Sequence, residues 1–232
     1  GVSTDAAGNV IVTGSFENTS DFDPGGATLN FTSQGGSDIF VLKLNASGDL
    51  VWAKAMGCVN NDGGSNVVND AFNNIYFAGS FYDVIDIDGG SSMFNLTSTG
   101  NQEIFASKID ASGNFIWAIQ MGGLANDFAQ GMVLDASNNI YLTGAIYGSG
   151  DFDPGVNTFT LSPSGPPATF VQKLGAPTLV LSIINQPASS AVCVDATTTF
   201  SIAVSGTTNL TYQWQKLNTT TSIYENISDT GG

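Results

Sequence analysis

The 232-residue sequence has no histidine and no arginine; five lysines are its only basic side chains. Without histidine it lacks the usual general base near neutral pH and the commonest metal ligand. Against those lysines stand 20 acidic residues, for a formal charge of −15. Such a surface repels nucleic-acid phosphates and anionic headgroups, so nucleic acid is not an expected partner, whereas cations are attracted. Cysteine is scarce: Cys58 and Cys193 lie far apart and no CxxC occurs. No apolar run approaches the roughly 18–20 residues of a membrane span, so direct membrane insertion is not expected. Gly1 opens no signal-peptide pattern, and the start reads as a processed end or a cut.

What is plentiful points to β-structure. Hydrophobic residues make up 42% of the chain, with 28 glycines and 15 phenylalanines. Val, Ile, Thr, Phe and Tyr far outnumber the surface helix formers Glu, Lys and Arg, which sets an all-β expectation. The length allows one large or two modest domains with a buried core.

The chain repeats itself. Displaced by 65 residues, it aligns Asp5 with Asp70 and Asp135, Gly14 with Gly79 and Gly144, Phe40 with Phe105 and Phe170, and Lys43 with Lys108 and Lys173. Trp52 falls on Trp117 and Met56 on Met121. Three repeats follow, at 1–57, 58–122 and 123–175. Each reads as four strands: a short one ending at the aligned Asp, then "VIVTGSF", "IYFAGSF" or "IYLTGAI" after a Gly/Asn turn, then "DIFVLKL", "EIFASKI" or "ATFVQKL", then "LVWAKAMG" or "FIWAIQMG". The continuous apolar run of the second strand implies burial on both faces. Period-two alternation at Leu29/Phe31, Phe94/Leu96 and Phe159/Leu161 places a short extra strand between the second and third. Such a sheet cannot hide both apolar faces alone, and stacking copies around an axis does so; the fold expected is a β-propeller, of which these are three four-stranded blades.

The motifs D-x-x-x-N-[IV]-Y-[FL]-[TA]-G, [DE]-I-F-x-x-K-[LI], S-G-[DN]-x-[VI]-W-A and the D-F-D-P-G turn resemble SBBP-type β-propeller repeats of large secreted Bacteroidota proteins. The resemblance covers residues 1–175 and implies a secreted or cell-surface protein, exported by the type IX pathway through a C-terminal sorting domain. The third repeat departs from the pattern after Gly175, where "APTLVLSIINQP" replaces the fourth strand. That marks it as a final blade whose closing strand, with earlier blades, is expected upstream. Residues 176–232 resemble the start of a bacterial immunoglobulin-like sandwich, with Trp214 on a central strand and Cys193 pairing beyond Gly232.

The candidate site is the acidic turn that recurs at Asp21/Asp23, Asp86/Asp88 and Asp151/Asp153, on one rim with Asp62 and Asp127. Asp-x-Asp before a glycine opens like a calcium loop, but position five is Gly25, Gly90 or Gly155 and no acid stands at position twelve. The preferred reading is a turn whose carboxylates accept backbone N–H groups, with Pro24 or Pro154 fixing the chain; calcium is the alternative. Adjacent carboxylates repeated three times match no single catalytic centre. Lys43, Lys108 and Lys173 are expected to pair with aspartates of the blades, Trp52 and Trp117 to pack between blades, and the Cys58 thiol to be incidental. The function expected is non-enzymatic: adhesion, ligand binding or extracellular assembly, with other proteins or surface glycans as partners. The alternatives are accessory modules of a secreted hydrolase or lyase, and a cargo or partner of the secretion machinery.

Overall fold

The computed structural model describes residues 1–90 and 92–175, and beyond them the backbone of four short strands. The chain divides into two units, Gly1–Thr178 and Leu179–Gly232. Among the described residues there is no helix.

The first repeat holds β1 (Val2–Thr4), β2 (Val10–Phe16), β3 (Thr19–Asp21), β4 (Asn30–Thr32), β5 (Asp38–Leu44) and β6 (Leu50–Met56). The second holds β7 (Gly63–Asn69), β8 (Ile75–Phe81), β9 (Val84–Asp86), β10 (Asn95–Thr97), β11 (Glu103–Ile109) and β12 (Phe115–Gly123). The third holds β13 (Asp127–Leu134), β14 (Ile140–Ile146), β15 (Gly150–Asp151), β16 (Thr160–Leu161) and β17 (Ala168–Leu174). The main strands pair antiparallel in the orders β1-β2-β5-β6, β7-β8-β11-β12 and β13-β14-β17, which is the expected up-and-down blade, with three main strands in the third among the described residues. No sheet closes on itself among the described residues.

Two expectations need correction. The first strand is short in the first blade, where β1 has 3 residues, but not in the other two: β7 and β13 run 7 and 8 residues and continue through β-bulges at Gly64/Asn66 and Ala129/Gly131. And the excursion holds two short strands rather than one, forming the hairpins β3–β4, β9–β10 and β15–β16. The last of these joins the preceding blade, where Gly122 and Gly123 of β12 pair with Asp151 and Gly150. A Cβ on Gly123 would sit 2.2 Å from the Ser149 carbonyl oxygen, so this seam requires glycine.

Two apolar layers lie between successive blades. Ile11, Ile39, Val41 and Met56 of the first blade meet Phe77, Phe81, Phe105 and Ile109 of the second. Tyr76, Ile104, Ala106 and Trp117 on the other face of the second blade meet Met132, Leu142, Phe170 and Leu174 of the third. The second strand of the middle blade is therefore buried at all seven positions, whereas its counterparts β2 and β14 alternate between buried and part-exposed residues. Burial on both faces, expected from the apolar run, is a property of position in the stack: it is met only where a neighbour covers each side.

In the second unit β18 (Ser182–Asn185) pairs antiparallel with β19 (Ala203–Ser205), and β20 (Gln215–Asn218) with β21 (Ile223–Asn226). The expected positions of Cys193 and Trp214 lie outside the described residues.

Candidate functional site

The aligned aspartates organise turns. Asp5 Oδ1 accepts the N–H groups of Ala7 and Asn9 at 3.0 Å each, and Oδ2 accepts Asn9 Nδ2 at 2.7 Å. Asp70, Asp110 and Asp135 repeat this pattern with Asn74, Asn114 and Asn139, and Asn45 with Asp49 is a variant of it. The fourth residue of each turn takes a left-handed conformation: Gly8, Gly48, Asn73, Gly113 and Asn138 all have φ between 61° and 89°. That is why only Gly or Asn stands there. Burial pushes the Asp5 and Asp70 carboxyls up, but the bonds from their asparagines and backbone outweigh it and hold both below the usual range. Asp135, held chiefly by the Asn139 amide, falls to about 2.

The recurrent lysines close on these same aspartates within their own blade. Lys43 Nζ lies 3.3 Å from Asp5 Oδ2, Lys108 Nζ 3.5 Å from Asp70 Oδ2, and Lys173 Nζ 3.5 Å from Asp135 Oδ2. In the second and third blades the ammonium also lies over a tyrosine ring, 4.6 Å from the Tyr76 centroid and 5.2 Å from that of Tyr141. These cations hold the sheet to its turn. The tryptophans also lie between blades: Trp117, edge-on to Tyr76 of its own blade, is buried in the layer shared with the third, and Trp52 Nε1 donates to the Ala111 carbonyl of the next blade at 3.3 Å.

The D-x-D turns sit in the hairpins between second and third strands. Asp21 Oδ1 accepts from the N–H of Asp23 at 3.0 Å and of Leu29 at 2.9 Å, and Asp23 Oδ1 accepts from Gly25 N–H at 2.7 Å. Asp151 and Asp153 repeat the set with Asp153, Phe159 and Gly155. Asp86 does the same with Asp88 and Phe94, while Asp88 faces Lys54, whose Nζ donates to the Asp88 carbonyl at 3.0 Å. The backbone donors hold Asp21 and Asp151 below the usual carboxylate range. Oδ1 of each first aspartate faces two N–H groups, the arrangement of a self-capped turn. Among the described residues no three His, Cys, Asp or Glu side chains gather as metal ligands do.

Sequence reasoning passed over the residue between the two aspartates. Phe22, Ile87 and Phe152 are all buried. Phe22 contacts Phe16 and Phe40 at ring-centroid distances of 5.0 and 5.1 Å, and Phe152 contacts Phe170 at 5.0 Å. The motif is a plug: the flanking carboxylates fix the loop so that the apolar middle residue packs inward, Ile87 and Phe152 into the layers between blades and Phe22 onto the rings of its own blade. The signal was present, since that position is apolar in all three copies.

Asp62 and Asp127 sit on the same rim, where their backbone N–H groups donate to the Ser37 and Gln102 carbonyls of the preceding blade and their carboxylates hold the connecting loop. Asp62 accepts Cys58 N–H at 2.7 Å and Tyr82 N–H at 2.8 Å; Asp127 accepts Gly123 N–H at 3.0 Å and Tyr147 N–H at 3.3 Å. Beside each stands a second buried acid that the sequence did not single out, Asp38 beside Asp62 and Glu103 beside Asp127. Burial pushes Asp38, Asp62 and Asp127 up. Asp38 Oδ2 accepts Gln34 N–H at 3.0 Å, but its buried Oδ1 has no partner. The Cys58 thiol is buried next to Asp62, which leaves it unreactive: burial raises it to about 11.

A cavity of about 470 Å³ opens at the rim between the second and third blades, lined by Glu103, Gln120, Gly123, Asp151, Asp153 and Pro154. No family model matches the sequence. Over 153 residues, 61% of this chain, it is 26% identical to the regulatory protein FlaEY of Caulobacter vibrioides, and this stretch covers 16% of that protein. Over 117 residues, 44% of this chain, it is 30% identical to an uncharacterized WD repeat-containing protein, L264, of Acanthamoeba polyphaga mimivirus, and covers 8% of it. The all-β repeat and the likeness to a WD repeat protein agree on a propeller-type blade.

Proposed function

We propose that this chain belongs to a non-enzymatic exported or cell-surface protein, of the kind its SBBP-like repeats imply, acting in adhesion, ligand binding or extracellular assembly. The observation that carries this reading is where the recurrent polar residues go. The aspartates at 5, 70 and 135, the lysines at 43, 108 and 173, and the first aspartate of each D-x-D turn all bind the chain's own backbone or one another. The repeat therefore preserves architecture, and the rim loops remain as surface for other proteins or glycans.

Two experiments test this reading. The purified chain is screened for binding against surface glycans and envelope proteins, and against glycosidase, lyase and peptidase substrates. Saturable binding without turnover is the expected result, and turnover that tracks the intact chain overturns it. Fractionation of the native host adds the second arm: the protein is expected in the surface or medium fraction, and confinement to the cytoplasm contradicts export.

A further inference from the structure

We propose that the cavity between the second and third blades receives a lysine side chain of a partner protein, whose ammonium binds at the Asp153 turn as the chain's own Lys54 binds at the junction before it. The inference rests on the binding or assembly reading above and names the chemistry of the partner.

The two junctions repeat one structure with one charge changed. The 65-residue displacement carries Asp86 onto Asp151, Asp88 onto Asp153 and Lys54 onto Ile119. At the first junction β6 sends Lys54 across to the next blade, where Nζ donates to the Asp88 carbonyl at 3.0 Å and lies 4.0 Å from Asp88 Oδ1. Both side chains are largely buried there. At the second junction β12 offers Ile119, which packs against the apolar layer and brings no charge. The acidic turn is kept and its cation is not.

No other lysine makes up the loss among the described residues. Residues 1–175 contain four: Lys43, Lys108 and Lys173 each close on the turn aspartate of their own blade, and Lys54 is taken by Asp88. The cavity of about 470 Å³ at the second junction has Glu103, Asp151 and Asp153 in its wall and no basic residue. Its counterpart at the first junction, about 420 Å³, is walled by Asp83 and Asp86, whereas Asp88, held by Lys54, is not part of it. A concave site lined by acids of one sign concentrates their field on an arriving cation.

The lining suits an ammonium on an alkyl stem. Glu103 is already engaged, with Oε1 accepting the Thr99 N–H at 2.7 Å and Oε2 the Gln120 amide at 3.1 Å, so it supplies charge rather than a contact. Asp153 Oδ1 accepts one N–H, from Gly155 at 2.8 Å. Leu124, 75% exposed, forms an apolar lip along which methylene groups can lie while the charged head reaches the turn. The acids do not gather as metal ligands do, which leaves a singly charged organic cation as the better fit.

The test titrates the whole chain with Nα-acetyl-lysine methylamide and follows the amide NMR signals of residues 119–124 and 149–155. The norleucine analogue is the uncharged control, and glucosamine carries the amine on a sugar instead. The expected result is saturable shifts with the lysine amide alone, about tenfold weaker in Asp153→Asn and in Ile119→Lys, where the chain's own ammonium takes the place. Asp153→Asn keeps an acceptor for the Gly155 N–H and Ile119→Lys repeats the arrangement of the first junction, so both are expected to fold. Asp23→Asn removes the same charge from the corresponding turn of the first blade and should leave binding unchanged. Equal binding of the norleucine amide, or unchanged affinity in Asp153→Asn, overturns the proposal. So does equal weakening by Asp23→Asn, which would mean diffuse attraction to an acidic surface, and so does tighter binding of glucosamine, which would give the cavity to a glycan. A surface component bound equally by the parent and Asp153→Asn chains would remove this site and leave the broader reading; lysine docking by a chain that binds no surface component would do the reverse.

Discussion

Lys108 Nζ lies 3.5 Å from Asp70 Oδ2 and donates to Tyr76 Oη at 2.7 Å, so the third strand of the middle blade is tied to the turn that introduces its second strand. Asp70 also accepts two backbone N–H groups and an asparagine amide. Asp70→Ala removes all of these acceptors and leaves a largely buried ammonium behind. Urea denaturation is expected to show a loss of about 2–4 kcal/mol. Asp135→Ala should cost less, because the Lys173 side chain is 51% exposed against 17% for Lys108. Equal losses would contradict this account of the pair.

Gly79 pairs across the sheet with Phe105, as Gly14 does with Phe40 and Gly144 with Phe170. A Cβ at Gly79 would lie 2.0 Å from the Gly63 carbonyl oxygen, so the backbone of the neighbouring strand would have to move. Gly79→Ala is expected to destabilise the chain by about 1–3 kcal/mol or more. Gly26→Ala, with nothing within 4 Å, should stay within about 0.5 kcal/mol of the parent. Thermal melting of the two variants side by side checks the difference.

Stability should peak on the acid side of neutrality. Asp38, Asp62 and Asp127 have carboxyls raised above the ordinary 3.8 by burial, so the stability they contribute is fully present below that value and is lost as pH rises through their folded values. Asp5, Asp70 and Asp135 are lowered, and their contribution is present above 3.8 and lost as pH falls through the folded values. The two trends meet at about pH 4–5. Asp38→Asn replaces the unpartnered oxygen with a neutral group, so it should raise the melting temperature at pH 8 and leave it nearly unchanged at pH 4. A stability profile that climbs steadily from pH 5 to pH 8 would rule this out.

If the D-x-D turns are held by their own backbone N–H groups, divalent cations add nothing to them. Melting in excess EDTA and in millimolar calcium is expected to give the same midpoint, while monovalent salt raises it by screening the charge of −15. A calcium-specific rise in the midpoint that is abolished by Asp21→Asn or Asp151→Asn would restore the cation reading.

Much of the fold was legible because the repeat multiplies each signal. Strands 10–16, 38–44 and 50–56, with their counterparts, were placed by alignment of Gly14, Phe40, Lys43 and Trp52 with the later copies. The first strands were placed too, at the aligned aspartates, but the length of β7 and β13 was missed, because a bulge breaks the period that marks a strand. The acidic turn was located, but its purpose lay in the residue between the carboxylates, and the burial of Ile87 and Phe152 depends on the sheet stacked against each. Asp38 and Glu103 escaped notice because a carboxylate opening an apolar strand reads as a solvated end. Only the neighbouring blade buries it.

The account depends on the three 65-residue units stacking face to face, so that among the described residues the middle blade is the one covered on both sides. Amide hydrogen exchange across the three equivalent second strands, residues 10–16, 75–81 and 140–146, tests this most directly. The expected result is slowest exchange at 75–81, where all seven residues are buried, with both outer strands opening more readily. Equal protection in all three, or least protection at 75–81, would contradict the stack.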